Sequence, residues 1–311
     1  MKELNLSERK VLTLLEQNCR LSANQIAKKT RLSPEGVLKI INRLKELKII
    51  NKFNTKINYS IIDYKLYPVH LKLLRLNDEI INKIKNIIKN HKTCAWHTFC
   101  EGEYDLLLSF KIQTEKDKTN MSELLKEISD YTLEKEVSIV LYAFEISKSF
   151  IEEKNNRIFQ TFNYNIESID LTKEEKGIIE LLKDNSRETI LNMSKIIKIN
   201  PRLISSKIKK LIKLNVISGF KTKINTASLN YQPCIALISL GNHKETEIKK
   251  FMTYCQYKEG IDYLVRQIGK YDIELTINAK NINDFYQIIN DIRKQFRFVK
   301  KITTLILNDP V

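Results

Sequence analysis

Glycine is scarce in this chain. There are seven in 311 residues, with five prolines and one tryptophan. Neither G-x-x-x-x-G-K-[ST] nor G-x-G-x-x-G occurs, which argues against a backbone loop cradling nucleotide phosphates. The five cysteines (Cys19, Cys94, Cys100, Cys234, Cys255) are scattered, odd in number and without a C-x-x-C pair. That pattern fits reduced, buried thiols rather than a disulfide framework or a zinc site. No apolar run reaches 18 residues, and the start MKELNLSERK carries charge from its second residue. No membrane helix and no secretory leader are therefore expected, and the expected compartment is the cytoplasm, with the nucleoid. No metal and no cofactor are expected.

What the chain has is apolar residues, 42% of the total, and a net charge of +16. The first is enough for packed cores. The second is unevenly spread. Residues 1–60 hold 13 Lys/Arg against 5 Asp/Glu, and residues 170–230 hold 13 against 6, so the remaining 190 residues carry about one net charge. Positive charge confined to two separate windows is the footprint of phosphate-binding modules.

T-K-I-N occurs at Thr55–Asn58 and again at Thr222–Asn225, each time two residues after a Phe (Phe53, Phe220). The offset is 167. At the same offset Leu4 meets Leu171, Arg20 meets Arg187, Pro34 meets Pro201, Leu44 meets Leu211 and Tyr64 meets Tyr231. Forty residues on, Gly102-Glu103-Tyr104-Asp105 still lies on Gly269-Lys270-Tyr271-Asp272. One register held over about a hundred residues marks a duplicated two-part unit.

In the first part of each unit, Val11, Leu14 and Leu15 stand at helical spacing after Ser7 as N-cap. A short helix over 22–29 follows, then a turn. Ser33-Pro34 opens a third helix, 34–47, and Asn200-Pro201 opens its counterpart, 201–214. Residues 49–60 alternate and are β-branched, which predicts a short two-stranded wing. This is a helix-turn-helix arrangement whose third helix fits the DNA major groove. The candidate DNA contacts are Ser33, Lys39, Asn42, Arg43 and Lys56 in the first unit. In the second they are Asn200, Arg202, Ser205, Ser206, Lys209, Lys210 and Lys223.

The second part reads strand 67–76, helix 77–90, strands 93–100 and 104–112, a helix near 117–130 and a strand near 136–146. The other unit repeats the series at 233–240, 243–256, 260–268, 271–279, 281–295 and 299–308. This β-α-β-β-α-β order is the ferredoxin-like layout. Gly102 and Gly269 at the central hairpins suit positive φ. The fold class is α+β: two tandem units, each a winged helix-turn-helix followed by a ferredoxin-like βαββαβ domain. The boundaries are 1–64, 65–147, a linker 148–168, 169–231 and 232–311.

Leu32-Ser33-Pro34, Lys48-Ile49-Ile50 and the two G-x-Y-D hairpins carry a family resemblance. In this order of parts the chain resembles the Lrp/AsnC ("feast/famine") transcriptional regulators. The resemblance implies double-stranded DNA as partner and a second domain that senses amino acids or similar small molecules and drives self-association. It places Gly102, Tyr104, Asp105, Gly269, Tyr271 and Asp272 near the effector site, although these residues serve hairpin geometry equally well. Two units in one chain depart from the family pattern and imply an intrachain pseudo-dimer. Unlike recognition helices, with Glu35-Gly36 against Arg202-Leu203, imply two unlike half-sites.

Two other functions share the architecture. Sirohaem decarboxylases use it as paired unlike subunits and would need His and basic groups over the sheet. Here His97 and Arg266 are the residues on offer, and the H-N-Y-x-R type of run is absent. An architectural DNA coater would bind with little sequence preference and a steep salt dependence.

Overall fold

In the computed structural model, which describes residues 4–147, 158–164 and 167–308, each head helix starts where a polar side chain caps it. Helix α1 (Leu6–Gln17) is capped by Asn5, not Ser7, in a reciprocal box with Glu8. Helix α2 (Ala23–Thr30) is capped by Ser22, and α3 (Pro34–Glu46) by Ser33 with Pro34 in its first turn. Strand β1 (Ile50–Ile57) closes the first head. The second head has α6 (Lys173–Asp184), α7 (Ile190–Ile197), α8 (Pro201–Lys213) and β8 (Ile217–Ile224). Among the described residues, the six non-glycine positive-φ residues fall in pairs 167 apart: Arg31 with Lys198, Lys48 with Asn215, Asp63 with Asn230. The backbone bends alike in both units.

The expected wing hairpin is not there. Each head supplies one strand, and β1 pairs antiparallel with β8 of the other head. The physical reason is burial. Phe53, Thr55, Phe220 and Thr222 are inward-facing on one side of this ribbon, and the core beneath them draws residues from both heads. A two-stranded ribbon gains stability only where a face is covered, and the paired heads cover it.

The first ferredoxin-like domain comprises β2 (Lys65–Leu73), α4 (Asp78–Asn90), β3 (Cys94–Gly102), β4 (Leu106–Ile112), α5 (Glu115–Glu127) and β5 (Thr132–Val137). The second comprises β9 (Gln232–Leu240), α9 (Glu245–Tyr257), β10 (Ile261–Ile268), β11 (Ile273–Ala279), α10 (Ile282–Gln295) and β12 (Val299–Leu307). The single strand expected at 136–146 breaks at Ser138. Its first half, β5, stays with β2, and its second half, β6 (Ile139–Ile146), crosses to pair with β10 of the other unit. Likewise the end of β12 pairs with β3. A further strand, β7 (Ile158–Asn163), adds to β6, so the segment 148–168 is more than a connector; its residues 148–157 lie outside the described residues. The ten strands run β5-β2-β4-β3-β12-β9-β11-β10-β6-β7. Helices cover the outer faces, and the inner faces share an interior of residues from both units, among them Tyr104, Leu107, Leu237 and Tyr271.

The hairpin glycines owe their place to these crossings. Gly102 has φ +138°, as expected, and a Cβ there would lie 2.8 Å from both the Thr304 carbonyl and the Leu305 side chain. Gly269 does not need positive φ. Its Cβ would stand 2.2 Å from the Ser138 hydroxyl, at the equivalent crossing. Gly102→Ala is therefore expected to cost ~1–3 kcal/mol or more, through both backbone strain and overpacking, read from denaturant unfolding.

Candidate nucleic-acid interface

Helix α3 buries Val37, Ile41 and Leu44, and α8 buries Ile204, Ile208 and Leu211, each 167 residues on. These apolar stripes dock the helices on α1, α2 and their counterparts and leave the opposite faces to solvent. Lys39, Asn42, Arg43, Arg202, Ser206, Lys209 and Lys210 are exposed, with Ser205 half-buried. Ser33 and Asn200 are exposed too, but their side-chain oxygens accept the backbone N–H groups of Gly36 and Arg202 at 3.0 and 2.8 Å. They are caps first. Arg43 reaches Glu8 at 3.2 Å, and Lys210 reaches Glu175 at 2.8 Å. Both carboxylates are nearly inaccessible and cap the first helix of their own head. Arg43 and Lys210 therefore brace the recognition helix on the helix behind it.

The two heads are clamped through residues that look, in sequence, like surplus charge. Arg20 donates to the Ser186 carbonyl and lies over the Phe220 ring; Arg187 donates to the Cys19 carbonyl and lies over Phe53. Cys19 Sγ and Ser186 Oγ, themselves 167 apart, meet at 3.0 Å. Residues at equivalent positions that touch each other mark a pseudo-twofold axis between the heads.

Lys56 requires a correction. Side chains alternate along β1 and β8, so Lys56 and Lys221 share the face turned away from the head core. That face meets β6. Lys56 and Lys221 both pair with Glu145, Lys221 at 2.9 Å, and Lys221 also approaches Glu16 at 3.4 Å. Lys56 thus fastens the heads to the sheet layer and does not stand on a free wing. Lys223 is exposed, opposite Lys52, but on this same sheet-facing side of the ribbon.

The six hairpin residues assigned to an effector are largely structural. Tyr104 and Tyr271 are fully buried in the interior shared by the two units, their rings edge to face with centroids 6.3 Å apart. Asp105 accepts the Leu73 N–H at 2.8 Å and the Lys72 ammonium at 2.9 Å; Asp272 accepts the Leu240 N–H at 2.7 Å. These carboxylates tie each hairpin to the next strand. Sequence reasoning missed the polar cluster around the tyrosines. The Tyr271 hydroxyl donates to Glu103 at 2.8 Å, and Lys270 donates to the Tyr104 hydroxyl and pairs with Glu103, both at 3.0 Å. Burial works against the charge on Glu103, but Tyr271 and Lys270 outweigh it and hold the carboxyl down at about 2. The signal was available, since the variable position of G-x-Y-D is Glu in one unit and Lys in the other.

The family model described as winged helix-turn-helix DNA-binding matches residues 4–51. An uncharacterized HTH-type transcriptional regulator of Pyrococcus furiosus is 30% identical over 117 residues, 37% of this chain and 76% of that protein. This chain belongs to the HTH-type transcriptional regulators. The HTH-type transcriptional regulator LysM of Sulfurisphaera tokodaii is 27% identical over 139 residues, 44% of this chain and 96% of LysM. Nearly a whole relative therefore aligns with less than half of this chain. The crystal structure of the siroheme decarboxylase NirDL is similar over 97% of this chain and 91% of that one, with a TM-score of 0.63 at 12% identity. That is a likeness of fold across both units.

In this HTH-type regulator the two residues that the sequence offered for a decarboxylase, His97 and Arg266, belong to different units. His97 is exposed on β3. Arg266 on β10 reaches the Asp272 carboxylate at 3.7 Å and His243 at 3.5 Å. Three strands stand between β3 and β10 in the sheet order.

Proposed function

We propose that the chain is a DNA-binding transcriptional regulator in which one polypeptide supplies both reading heads. The observation that carries this is the joined pair of heads: two capped, basic helices with solvent-facing polar surfaces, set on one shared core. The N-terminal ends of α3 and α8 would read base edges, while Lys39 and Lys209 grip phosphate. Because Glu35 stands where the other head has Arg202, the bound site would consist of two unlike halves. An amino-acid effector at the hairpins would meet Glu103, Lys270 and Lys301 at the rim, since Tyr104 and Tyr271 are inside.

Selection of genomic fragments bound at two salt concentrations tests the reading. A shared asymmetric motif at both salts is expected. Indiscriminate binding that vanishes at the higher salt would mean a DNA coater. The fold shared with NirDL supports a second reading as an enzyme, favoured if no fragment binds and the purified protein shows a tetrapyrrole absorption band.

A further inference from the structure

The surface between the two units is not self-complementary. Glu103 and Lys270 are equivalent positions, 167 apart, and they meet each other at 3.0 Å. A first unit facing a copy of itself would set Glu against Glu, and a second unit would set Lys against Lys. Deeper in, His70 Nε2 lies 3.4 Å from Glu274 Oε2, with side chains 3% and 12% exposed. The equivalents of these two residues are Leu237 and Leu107, buried in the shared interior. A like-unit contact would therefore face His70 with Leu, or Glu274 with Leu. In the heads, Lys221 lies between Glu16 and Glu145, and the equivalents of Lys221 and Glu16 are Asn54 and Lys183. A second head paired with its own copy would place Lys183 against Lys221.

We infer that this surface is coded for unlike units. It accepts a partner face with a cation opposite Glu103, a carboxylate opposite His70 and a lysine opposite Glu16, and it rejects a copy of its own unit. The physical basis is the penalty on unpaired charge. A buried carboxylate facing leucine keeps its desolvation cost with nothing to offset it, and like charges at the hairpin tips repel. The covalent link then makes the unlike unit of the same chain the partner at hand. The inference stands on side-chain pairs within the protein and does not depend on DNA binding.

Single substitutions in the full chain reproduce each like-unit contact. Glu103→Lys recreates the second unit's contact with itself, and Lys270→Glu the first unit's. Each is expected to lower the folding constant by at least about threefold, while the double reversal recovers most of the loss. His70→Leu leaves Glu274 facing leucine and should lower it by more than about tenfold. Adding Glu274→Leu, which reproduces the Leu107–Leu237 arrangement, should restore it. If His70→Leu does not fold, recovery of folded protein in the double variant is the readout. Additive losses in both cycles, or a double Leu variant as damaged as His70→Leu, would overturn the inference.

Discussion

Lys221→Ala is expected to destabilise the protein by ~3–5 kcal/mol, the range for removing one partner of a buried ion cluster. Lys221 is nearly inaccessible, and its ammonium is shared by Glu145 on β6 and Glu16 at the end of α1, the latter 1% exposed. Burial alone would lower the lysine's pKa, but Glu145 and Glu16 raise it above the usual value. Burial alone would raise Glu145, and Lys221 and Lys56 hold it down at about 2. Removing the lysine takes from Glu16 and Glu145 the buried cation they share and leaves Lys56 paired with Glu145. The same cluster sets a pH dependence. The folded-state pKa values of Glu145 and Glu103 lie below their ordinary 4.5, so their stabilisation is present above that pH and lost as pH falls towards about 2. A denaturant midpoint that falls steeply from pH 5 to 3 in the native chain, and less steeply in Lys221→Ala, is the expected result. An unchanged midpoint at pH 7 in the variant would show that the cluster contributes no net stability.

The second large effect concerns binding. Arg202→Ala should weaken DNA binding by ~1–3 kcal/mol, about five- to 150-fold, and relax base preference in one half-site only. Arg202 is exposed at the start of α8, and its backbone N–H is held by the Asn200 cap, so its guanidinium is free of a helix-capping duty. Its equivalent, Glu35, opposes phosphate, so Glu35→Ala should strengthen binding modestly where Arg202→Ala weakens it. Fluorescence anisotropy on a selected fragment and on the same fragment with its halves exchanged measures both. Equal losses on both half-sites would mean that Arg202 contacts backbone alone. Lys209→Ala, by contrast, should weaken binding to all sequences and reduce the salt slope by about one.

The charge windows that suggested DNA binding turned out to serve two purposes. Lys39, Arg202 and Lys209 remain on exposed helix faces. Arg20, Arg187, Lys56 and Lys221 are spent on joining the heads to each other and to the sheets. Composition could not separate these uses, because a lysine in a strand has the same letter whether it faces water or a buried glutamate. Alternation along β1 put Lys56 opposite Phe53 and Thr55, but which face would be covered depended on β6, about ninety residues away.

The recognition-helix caps, the boundaries of most helices and strands, and the equivalence of positions 167 apart were legible without coordinates. They rest on contacts within a turn or two of chain, where a Ser-Pro or Asn-Pro step and a spacing of apolar residues act locally. What only the tertiary structure decided is who pairs with whom. The T-K-I-N strands pair with each other across the pseudo-twofold axis, the strand expected at 136–146 divides at Ser138 to serve both units, and the G-x-Y-D tyrosines turn inward to face one another. An edge strand's hydrogen bonds are satisfied equally well by any suitable neighbour, so the choice falls to long-range closure of the shared core and to the unlike charges that line it.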